Sequence, residues 1–202
     1  MTAEEGGSAG RFGAPAGTVP RVSTPPAVTL RARTEADLDV LFALAADLPT
    51  WEERGPLPPA PLTRAAFDER LAQQEREGAG STRFVIEADG VAVGSIGLFG
   101  VDPLARHAEL GIALAPDARG RGIGTAAIEQ IVEFAFVRQN LRRLHLEVIA
   151  SNRGAIRAYE KVGFVVEGRQ REHAWVRGAY EDVVRMGLLR SEWRARTGRD
   201  AG

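Results

Sequence analysis

The chain has 202 residues, of which 44% are hydrophobic and 26% are charged, so its composition is that of a folded globular protein with one domain of ordinary size. Its formal net charge of −1 gives no reason to expect nucleic acid or an anionic membrane as a partner. The sequence contains no cysteine, which excludes disulfides, a thiolate zinc site and a cysteine nucleophile. The three histidines, His107, His145 and His173, fit no metal-binding spacing, so no metal is expected.

Residues 1–27 are rich in glycine, alanine, proline, serine and threonine, with few large apolar side chains. Such a segment buries too little surface to offset the entropy lost on ordering, so we expect a disordered tail. The acidic start of the chain leads into no apolar segment, which argues against a secretory signal. The sequence also has no run of about 18 apolar residues that could span a membrane. We therefore expect a cytoplasmic protein.

The first part of the folded region shows one strand pattern followed by two helical patterns. Residues 28–33 alternate as a strand does, and Thr34 is a typical N-cap for the helix that follows. This helix should end before Pro49. Residues 48–62 contain five prolines and are predicted to form an irregular loop, after which residues 64–77 form a second helix.

The remainder of the chain alternates between strand and helix patterns. The predicted elements are, in order, a hairpin (84–88 and 91–99), a strand (107–114), a helix (122–138), a strand (143–149), a short helix (154–161) and a last hairpin (165–175 and 180–189). Together they predict one α/β domain, residues 28–193, with a mixed, mostly antiparallel sheet of about seven strands flanked by about four helices. Residues 194–202 should form a flexible tail.

The most informative stretch lies between the strand 107–114 and the helix 122–138, where residues 119–126 read Arg-Gly-Arg-Gly-Ile-Gly-Thr-Ala. A helix start presents backbone N–H groups that have no intrahelical partner, together with the positive end of the helix dipole. Glycines let a ligand approach these N–H groups closely, and the two arginines add positive charge. The stretch therefore predicts a socket for a phosphate or diphosphate group.

Two familiar phosphate-binding patterns fit this stretch poorly. A P-loop is excluded because no lysine follows any of the glycines. A dinucleotide-binding Gly-x-Gly-x-x-Gly pattern matches Gly120 and Gly122 but meets Thr125 at its third glycine. Glu147, on a later strand, could take the place of the ribose-binding acid of that pattern. A nicotinamide-dinucleotide enzyme is nevertheless disfavoured, because residues 116–119 separate the strand from the glycines.

A third pattern, Arg/Gln-x-x-Gly-x-Gly/Ala, is matched by Arg119, Gly122 and Gly124. It resembles the acetyl-CoA diphosphate loop of the GCN5-related N-acetyltransferase (GNAT) superfamily. Residues 152–164 then read Asn-x-x-Ala-x-x-x-Tyr-x-x-x-Gly-Phe, which is similar to the second cofactor motif of the same superfamily. With both motifs in the right order, residues 28–193 resemble this superfamily, and most of all its branch of ribosomal-protein N-terminal and polyamine acetyltransferases.

The resemblance implies an N-acetyltransferase that moves an acetyl group from acetyl-CoA to a primary amine, on a small molecule or a protein N-terminus, by direct transfer in a ternary complex. Since its relatives are often dimers, a homodimer is expected. An alternative of another class is a module that binds acyl-CoA without catalysing a reaction. The residues implied to contact the cofactor are Ile112 and Leu114 through their backbone, Arg119, Gly120, Arg121, Gly122, Ile123, Gly124, Thr125 and Asn152.

The strand 107–114 should have two different faces. Leu110, Ile112 and Leu114 are expected to pack on the core, while the face of Glu109 is small beyond that residue and is expected to receive the thioester arm. An amine must be neutral to attack, and a lysine-like amine with a pKa of about 10.4 therefore needs a base. Glu109 is the candidate base, acting through water. A structural salt bridge and binding of the acceptor cation are its alternative roles.

Tyr159 follows Asn152 by seven residues, about two helical turns, so both should lie on one helix face. The resemblance implies that Tyr159 is the general acid at the coenzyme A sulfur and that Asn152 orients the cofactor. A core tyrosine and an N-cap asparagine are compatible with these roles. On the acceptor side, the candidate substrate contacts are Trp51 and Glu52 in the proline-rich loop and Tyr180 on the last hairpin.

Overall fold

The computed structural model describes residues 26–52, 62–77 and 80–198, so the predicted tail at residues 1–27 lies almost wholly outside it. The described residues contain seven strands: β1 (Val28–Arg31), β2 (Thr82–Ala88), β3 (Val91–Asp102), β4 (His107–Leu114), β5 (Arg143–Ile149), β6 (Val165–Val176) and β7 (Ala179–Leu189). They also contain six α-helices: α1 (Leu38–Ala46), α2 (Leu48–Glu52), α3 (Arg64–Glu77), α4 (Ile123–Glu133), α5 (Arg153–Val162) and α6 (Arg190–Thr197).

The seven strands form one sheet in the order β1-β2-β3-β4-β5-β7-β6. Neighbouring strands are antiparallel except for β4 and β5, which run parallel because the crossover through α4 joins them. The predicted mixed, mostly antiparallel sheet of seven strands is therefore confirmed.

The parallel pair β4–β5 separates part-way along its length. Its register covers three pairs, from His107 with Arg143 to Glu109 with His145. Beyond this point β4 stays paired with β3 as far as Leu114, and β5 stays paired with β7 as far as Ile149. The sheet consequently opens between the carboxyl ends of two neighbouring parallel strands, a position at which α/β proteins commonly bind ligands.

The main core lies where α4 and α5 pack on the sheet. The inner face of α4 is apolar: Ile123, Ala127 and Ile131 are fully buried, and Phe134 packs against the same cluster from the π-helical turn that follows the helix. Because this apolar face packs on the sheet, the first turn of α4 lies beside the opening between β4 and β5.

The corner between β1 and α1 is held by a buried carboxylate. Asp37 is 3% exposed, and its oxygens accept hydrogen bonds from Arg31 Nη1 and Nη2 at 2.7 and 2.8 Å and from the Thr34 backbone N–H and hydroxyl at 2.8 Å each. Thr34 is the predicted N-cap, and it forms a capping box with Asp37. These bonds hold the pKa of Asp37 well below its usual range, the Arg31 bonds contributing most.

The structure has two helices more than predicted. The first is α2, because residues 48–62 were predicted to be irregular and Leu48–Glu52 is helical. Proline is tolerated in the first turn of a helix, where its missing N–H has no intrahelical acceptor, so Pro49 is compatible with this short helix. Residues 53–61, the rest of the predicted loop, lie outside the described residues.

The second additional helix is α6, which continues to Thr197 although the domain was predicted to end at Trp193 and the tail to begin at residue 194. Trp193 is 6% exposed, and its ring lies 5.5 Å from that of Phe136 at the end of α4. Burial of this large side chain stabilises the helix on the domain.

Candidate active site

The predicted phosphate socket forms the start of α4. Gly120 and Gly122 have φ of +72° and +83°, a left-handed conformation that favours glycine, and Gly122 is the N-cap of α4. The first N–H that closes the helix is that of Ala126, which donates to the Gly122 carbonyl at 3.1 Å. The preceding N–H groups of Ile123, Gly124 and Thr125 therefore have no acceptor within the helix. A Cβ placed on Gly120 or Gly122 would contact nothing within 4 Å, so the backbone is accessible there.

A cavity of about 400 Å³ lies against this socket, between the open ends of the sheet and helices α4 and α5. It is lined by nine of the residues predicted to form the site: Ile112, Leu114, Arg119, Gly120, Gly122, Gly124, Thr125, Asn152 and Tyr159. Of the predicted catalytic and cofactor residues, three lie outside the lining. Arg121 is exposed, the side chain of Ile123 is buried in the core, and Glu109 is on the opposite face of the sheet.

The cavity lies against one particular face of β4. The face of Glu109 was expected to receive the thioester arm, whereas the cavity is lined by Ile112 and Leu114 of the other face, together with Ala113. Both side chains still pack partly against the core, as predicted. The cavity is on this side because β4 and β5 separate beneath α4 and α5, and the two helices do not fill the opening.

Several lining residues were missed by the sequence reasoning. They are Thr50 of α2, Ala113 of β4, Ile128 of α4, and Gly154, Ala155, Arg157, Ala158 and Lys161 of α5. A signal for Ala155 was present, because it lies three residues after Asn152 and four before Tyr159 and therefore shares their helix face. Thr50 had no such signal, since its stretch was interpreted as a loop.

Arg119 is held against the cavity wall by two neutral acceptors. Its Nε donates to the carbonyl oxygen of Leu114 at 3.1 Å, and its Nη2 donates to the hydroxyl oxygen of Thr50 at 2.9 Å. These acceptors belong to the last residue of β4 and to α2. Arg119 therefore joins the phosphate socket to two other walls of the cavity.

Asn152 and Tyr159 line the cavity on the side of α5, opposite the wall formed by Arg119. Asn152 is the N-cap of α5, and its side-chain oxygen accepts from the Ala155 N–H at 3.1 Å. Tyr159 is 5% exposed, and its ring packs edge-on against Phe164 at 5.8 Å. Burial raises the pKa of the Tyr159 phenol well above its ordinary value of 10.0, so the phenol is protonated at neutral pH and can donate a proton.

Glu109 is the last β4 residue that pairs with β5, so it marks the point at which the two strands separate. Its pKa is raised above the ordinary glutamate value, first because neighbouring groups partly desolvate the carboxylate and second because the Glu147 carboxylate repels its charge. Arg185 opposes this shift, and its Nε lies 3.3 Å from Glu147 Oε1. A carboxylate with a raised pKa is a better proton acceptor near neutral pH.

The three candidate acceptor residues are in two places. Trp51 and Glu52 are on α2, where the guanidinium of Arg70 lies 5.4 Å from the Trp51 ring and Glu52 Oε2 lies 3.8 Å from Arg177 Nε. The second contact brings α2 to the β6–β7 turn. Tyr180 is 67% exposed and packs edge-on against Trp175 at 4.8 Å. Glu53, the next residue along the chain, lies outside the described residues.

Across the described ranges 26–52, 62–77 and 80–198, no three histidine, aspartate or glutamate side chains are grouped in a way that would hold a metal ion. The helices in these ranges include none with the length and apolar character needed to cross a membrane.

Residues 27–165 match the family model described as acetyltransferase (GNAT) domain. The chain belongs to the GNAT acetyltransferase family. Its relatives include the spermidine N(1)-acetyltransferase of Escherichia coli K12, with 34% identity over 113 residues, and the putative ribosomal N-acetyltransferase YdaF of Bacillus subtilis, with 34% identity over 105 residues. These matches cover 56% and 52% of this chain, and 61% and 57% of the two relatives' own lengths.

The GNAT fold is also found by comparison with solved structures. The spermidine N-acetyltransferase of Vibrio cholerae, in a crystal structure with CoA and spermine, superposes with a TM-score of 0.73 at 29% identity. The superposition covers 82% of this chain and 97% of that one. The resemblance found in the two sequence motifs is therefore confirmed, and the dinucleotide-binding interpretation of Gly120 and Gly122 is not needed.

Proposed function

We propose that this GNAT protein transfers an acetyl group from acetyl-CoA to a primary amine. The observation that carries the proposal is the cavity, which runs from the free N–H groups at the start of α4 to the buried phenol of Tyr159 and lies where β4 and β5 separate. An anionic diphosphate fits the first end and a reactive thioester fits the second. The names of the relatives, all N-acetyltransferases, favour catalysis over the alternative of a binding module.

The cofactor is held, in this proposal, by the predicted set of residues. The N–H groups of Ile123, Gly124 and Thr125 receive the diphosphate oxygens, and Arg119 and Gly120 complete the socket. Ile112 and Leu114 offer backbone groups on the strand edge that β5 leaves unpaired. Arg121 is exposed beside the socket and supplies charge from outside the cavity. Bound acetyl-CoA brings the activated acetyl group, and the protein supplies position and proton transfer.

The reaction needs one base and one acid. The neutral amine nitrogen attacks the thioester carbonyl carbon, a C–N bond forms, and the C–S bond breaks. Glu109, through water, accepts the proton that the amine loses, and Tyr159 donates a proton to the departing sulfur. The raised pKa of Glu109 suits the role of base, and burial keeps the Tyr159 phenol protonated until the sulfur departs. Because the sequence has no cysteine, the acetyl group passes directly from sulfur to nitrogen.

A polyamine is the acceptor that we propose first. Its amines resemble a lysine amine, of which only about 1 in 2,500 is neutral at pH 7, so a base with a raised pKa is useful. Glu52 on α2 offers a partly buried carboxylate on the acceptor side, and its contact with Arg177 is long enough, at 3.8 Å, for a cationic amine to compete for it. Trp51 on the same helix and Tyr180 on the hairpin offer aromatic surfaces for a cation.

A peptide N-terminus is the second candidate acceptor, favoured by the 34% identity to the putative ribosomal N-acetyltransferase. An α-amino group with a pKa of about 7.8 is neutral in roughly one case in seven at pH 7, so this acceptor depends less on Glu109. The homodimer and the cytoplasmic location stay predictions.

Thiol release from acetyl-CoA tests the proposal. Purified protein is given polyamines, aminoglycosides or short peptides with free N-termini, and the acetylated product is identified by mass spectrometry. We expect turnover with a polyamine, and loss of turnover in Tyr159→Phe. A thermal shift with NAD but none with acetyl-CoA would overturn the cofactor assignment. A thermal shift with acetyl-CoA but no turnover with any amine would favour the binding module.

A further inference from the structure

Thr50 is a buried polar residue that the catalytic scheme above does not use. It is 2% exposed, yet it lines the cavity together with Arg119 and Leu114. Its hydroxyl oxygen accepts from Arg119 Nη2 at 2.9 Å, over a separation of 69 residues in the chain. If the hydroxyl only stabilised helix α2, a hydrogen bond to a residue of the phosphate socket would not be expected.

Thr50 also contacts a carboxylate. Its backbone N–H donates to Asp47 Oδ2 at 2.9 Å. The side chain and backbone of Thr50, with a smaller contribution from the charge of Arg119, hold the pKa of Asp47 below its usual range. Since the Thr50 hydroxyl oxygen accepts from Arg119, the proton of the hydroxyl is directed away from Arg119.

The guanidinium of Arg119 is thus fixed at two points. The Leu114 carbonyl holds Nε and the Thr50 hydroxyl holds Nη2, so one edge of the planar group is committed to protein acceptors. An arginine side chain carries about 2 kcal/mol of rotamer entropy, and a group already fixed in its binding geometry loses less of it when a ligand binds. Such preorganisation is useful at the diphosphate, an anionic part of coenzyme A.

We infer that Thr50 is a positioning residue for the cofactor, whose buried hydroxyl orients Arg119 toward the coenzyme A diphosphate. The inference rests on the proposed function, because it requires the diphosphate to occupy the socket at α4. It also makes α2 part of the cofactor site, although the sequence placed this segment only on the acceptor side.

Calorimetry with CoA and with pantetheine, which lacks the diphosphate, separates positioning from packing. Thr50→Val keeps the shape of the side chain and removes the hydroxyl, and we expect it to weaken CoA binding about 3- to 15-fold, the scale of one hydrogen bond. Pantetheine binding should be unchanged, and Thr50→Ser should restore CoA affinity. Thr82→Val is the matched control, since the Thr82 hydroxyl accepts from Gln139 Nε2 at 2.7 Å on β2, away from the cavity. It should leave CoA binding unchanged.

A double-mutant cycle asks whether Thr50 acts through Arg119. We expect Thr50→Val to have no further effect on CoA affinity when combined with Arg119→Ala, because the residue that Thr50 orients is then absent. Additive losses would overturn the inference. Arg119→Lys provides a second test in which Thr50 is intact: lysine keeps the charge but cannot bond both acceptors, so CoA affinity should fall.

Wild-type affinity for CoA in Arg119→Lys, or in a folded Thr50→Val, would also overturn the inference. If the wild-type protein itself bound no CoA, the proposed function would fail first. Failure of the positioning role alone would appear as normal CoA binding in every variant at Thr50.

Discussion

Glu109 and His145 are opposite each other in the last pair of the β4–β5 ladder. Glu109 therefore lies where the sheet opens, on the face away from α4 and α5, while the cavity lies on the face toward them. A carboxylate at this vertex can exchange a proton with a group in the opening without occupying the space of the cofactor. If Glu109 is the base, its position predicts that kcat depends on the ionisation of this carboxylate.

The pH profile should identify Glu109 as the base. Because Glu109 must be ionised to accept a proton, kcat should fall as pH decreases through its pKa, which lies above the ordinary value of 4.5. Glu147→Gln removes the carboxylate that raises this pKa, so the acid limb should move to lower pH. Glu109→Gln should lower kcat about 10²-fold at neutral pH and abolish that limb. An acid limb that is unchanged in Glu147→Gln would contradict the assignment.

Tyr159→Phe should reduce kcat by about 10- to 100-fold with little change in KM for acetyl-CoA, because only the proton donor is lost. The ring remains to pack on Phe164, so the midpoint of thermal unfolding should change little. Steady-state kinetics with one fixed acceptor give the result. A proportionate rise in KM with unchanged kcat would instead assign the hydroxyl to binding.

Arg119→Ala should weaken acetyl-CoA binding roughly 10- to 150-fold, the scale of a charge-assisted hydrogen bond. Isothermal titration calorimetry measures this loss directly. Arg121→Ala removes the same charge from the same loop, but its side chain is outside the cavity lining. We expect Arg121→Ala to weaken acetyl-CoA binding less than Arg119→Ala does. Equal losses of affinity would indicate that the overall charge of the loop, and not the position of Arg119, attracts the cofactor.

Arg157 and Lys161 should contact the phosphates of the cofactor. They lie four residues apart on α5 and both line the cavity, although like charges at this spacing destabilise a helix. An anion between them would offset this repulsion. Each alanine substitution should raise KM for acetyl-CoA about 3- to 20-fold and have less effect with 3′-dephospho-acetyl-CoA. Arg153→Ala, one turn earlier on α5 and outside this lining, is the control that should change neither value.

Asp37 should contribute more to stability than an exposed ion pair. Replacing it by asparagine leaves Arg31 without its main partner, and we expect the unfolding midpoint to fall by roughly 5–10 °C. Since the folded pKa of Asp37 is lowered, its contribution is present above its ordinary pKa of 3.8 and is lost as pH falls through the lower folded value. Asp39→Asn is the control, because the Asp39 side chain is 89% exposed beside Arg64 and should change the midpoint little.

The parts of the site that could be predicted from the sequence are those set by local geometry. The glycines at Gly120 and Gly122 have the left-handed φ that their positions require, and Asn152 caps α5 one residue before the helix begins. These features depend on neighbours in the chain. The bond between Thr50 and Arg119 depends on the packing of α2 against a loop 69 residues away, and no short-range pattern encodes it.

The error about α2 has a physical cause. Five prolines between residues 48 and 62 favour a loop, but the first of them occupies a helical turn whose N–H groups need no internal acceptor. The face of β4 that lines the cavity was not predicted, for a different reason. Alternation along a strand gives two faces but does not tell on which of them a neighbouring strand will leave a gap.

The contact between Trp193 and Phe136 limits how the gene can be shortened for expression. The indole packs on Phe136, in the middle of the π-helical turn after α4, and that turn continues the helix whose first residues form the phosphate socket. A stop codon placed before Arg190 would expose Phe136 to water. We expect the shortened protein to be less soluble and, because the other end of α4 forms the phosphate socket, to bind the coenzyme more weakly. Fusion partners and purification tags should accordingly be joined beyond Thr197.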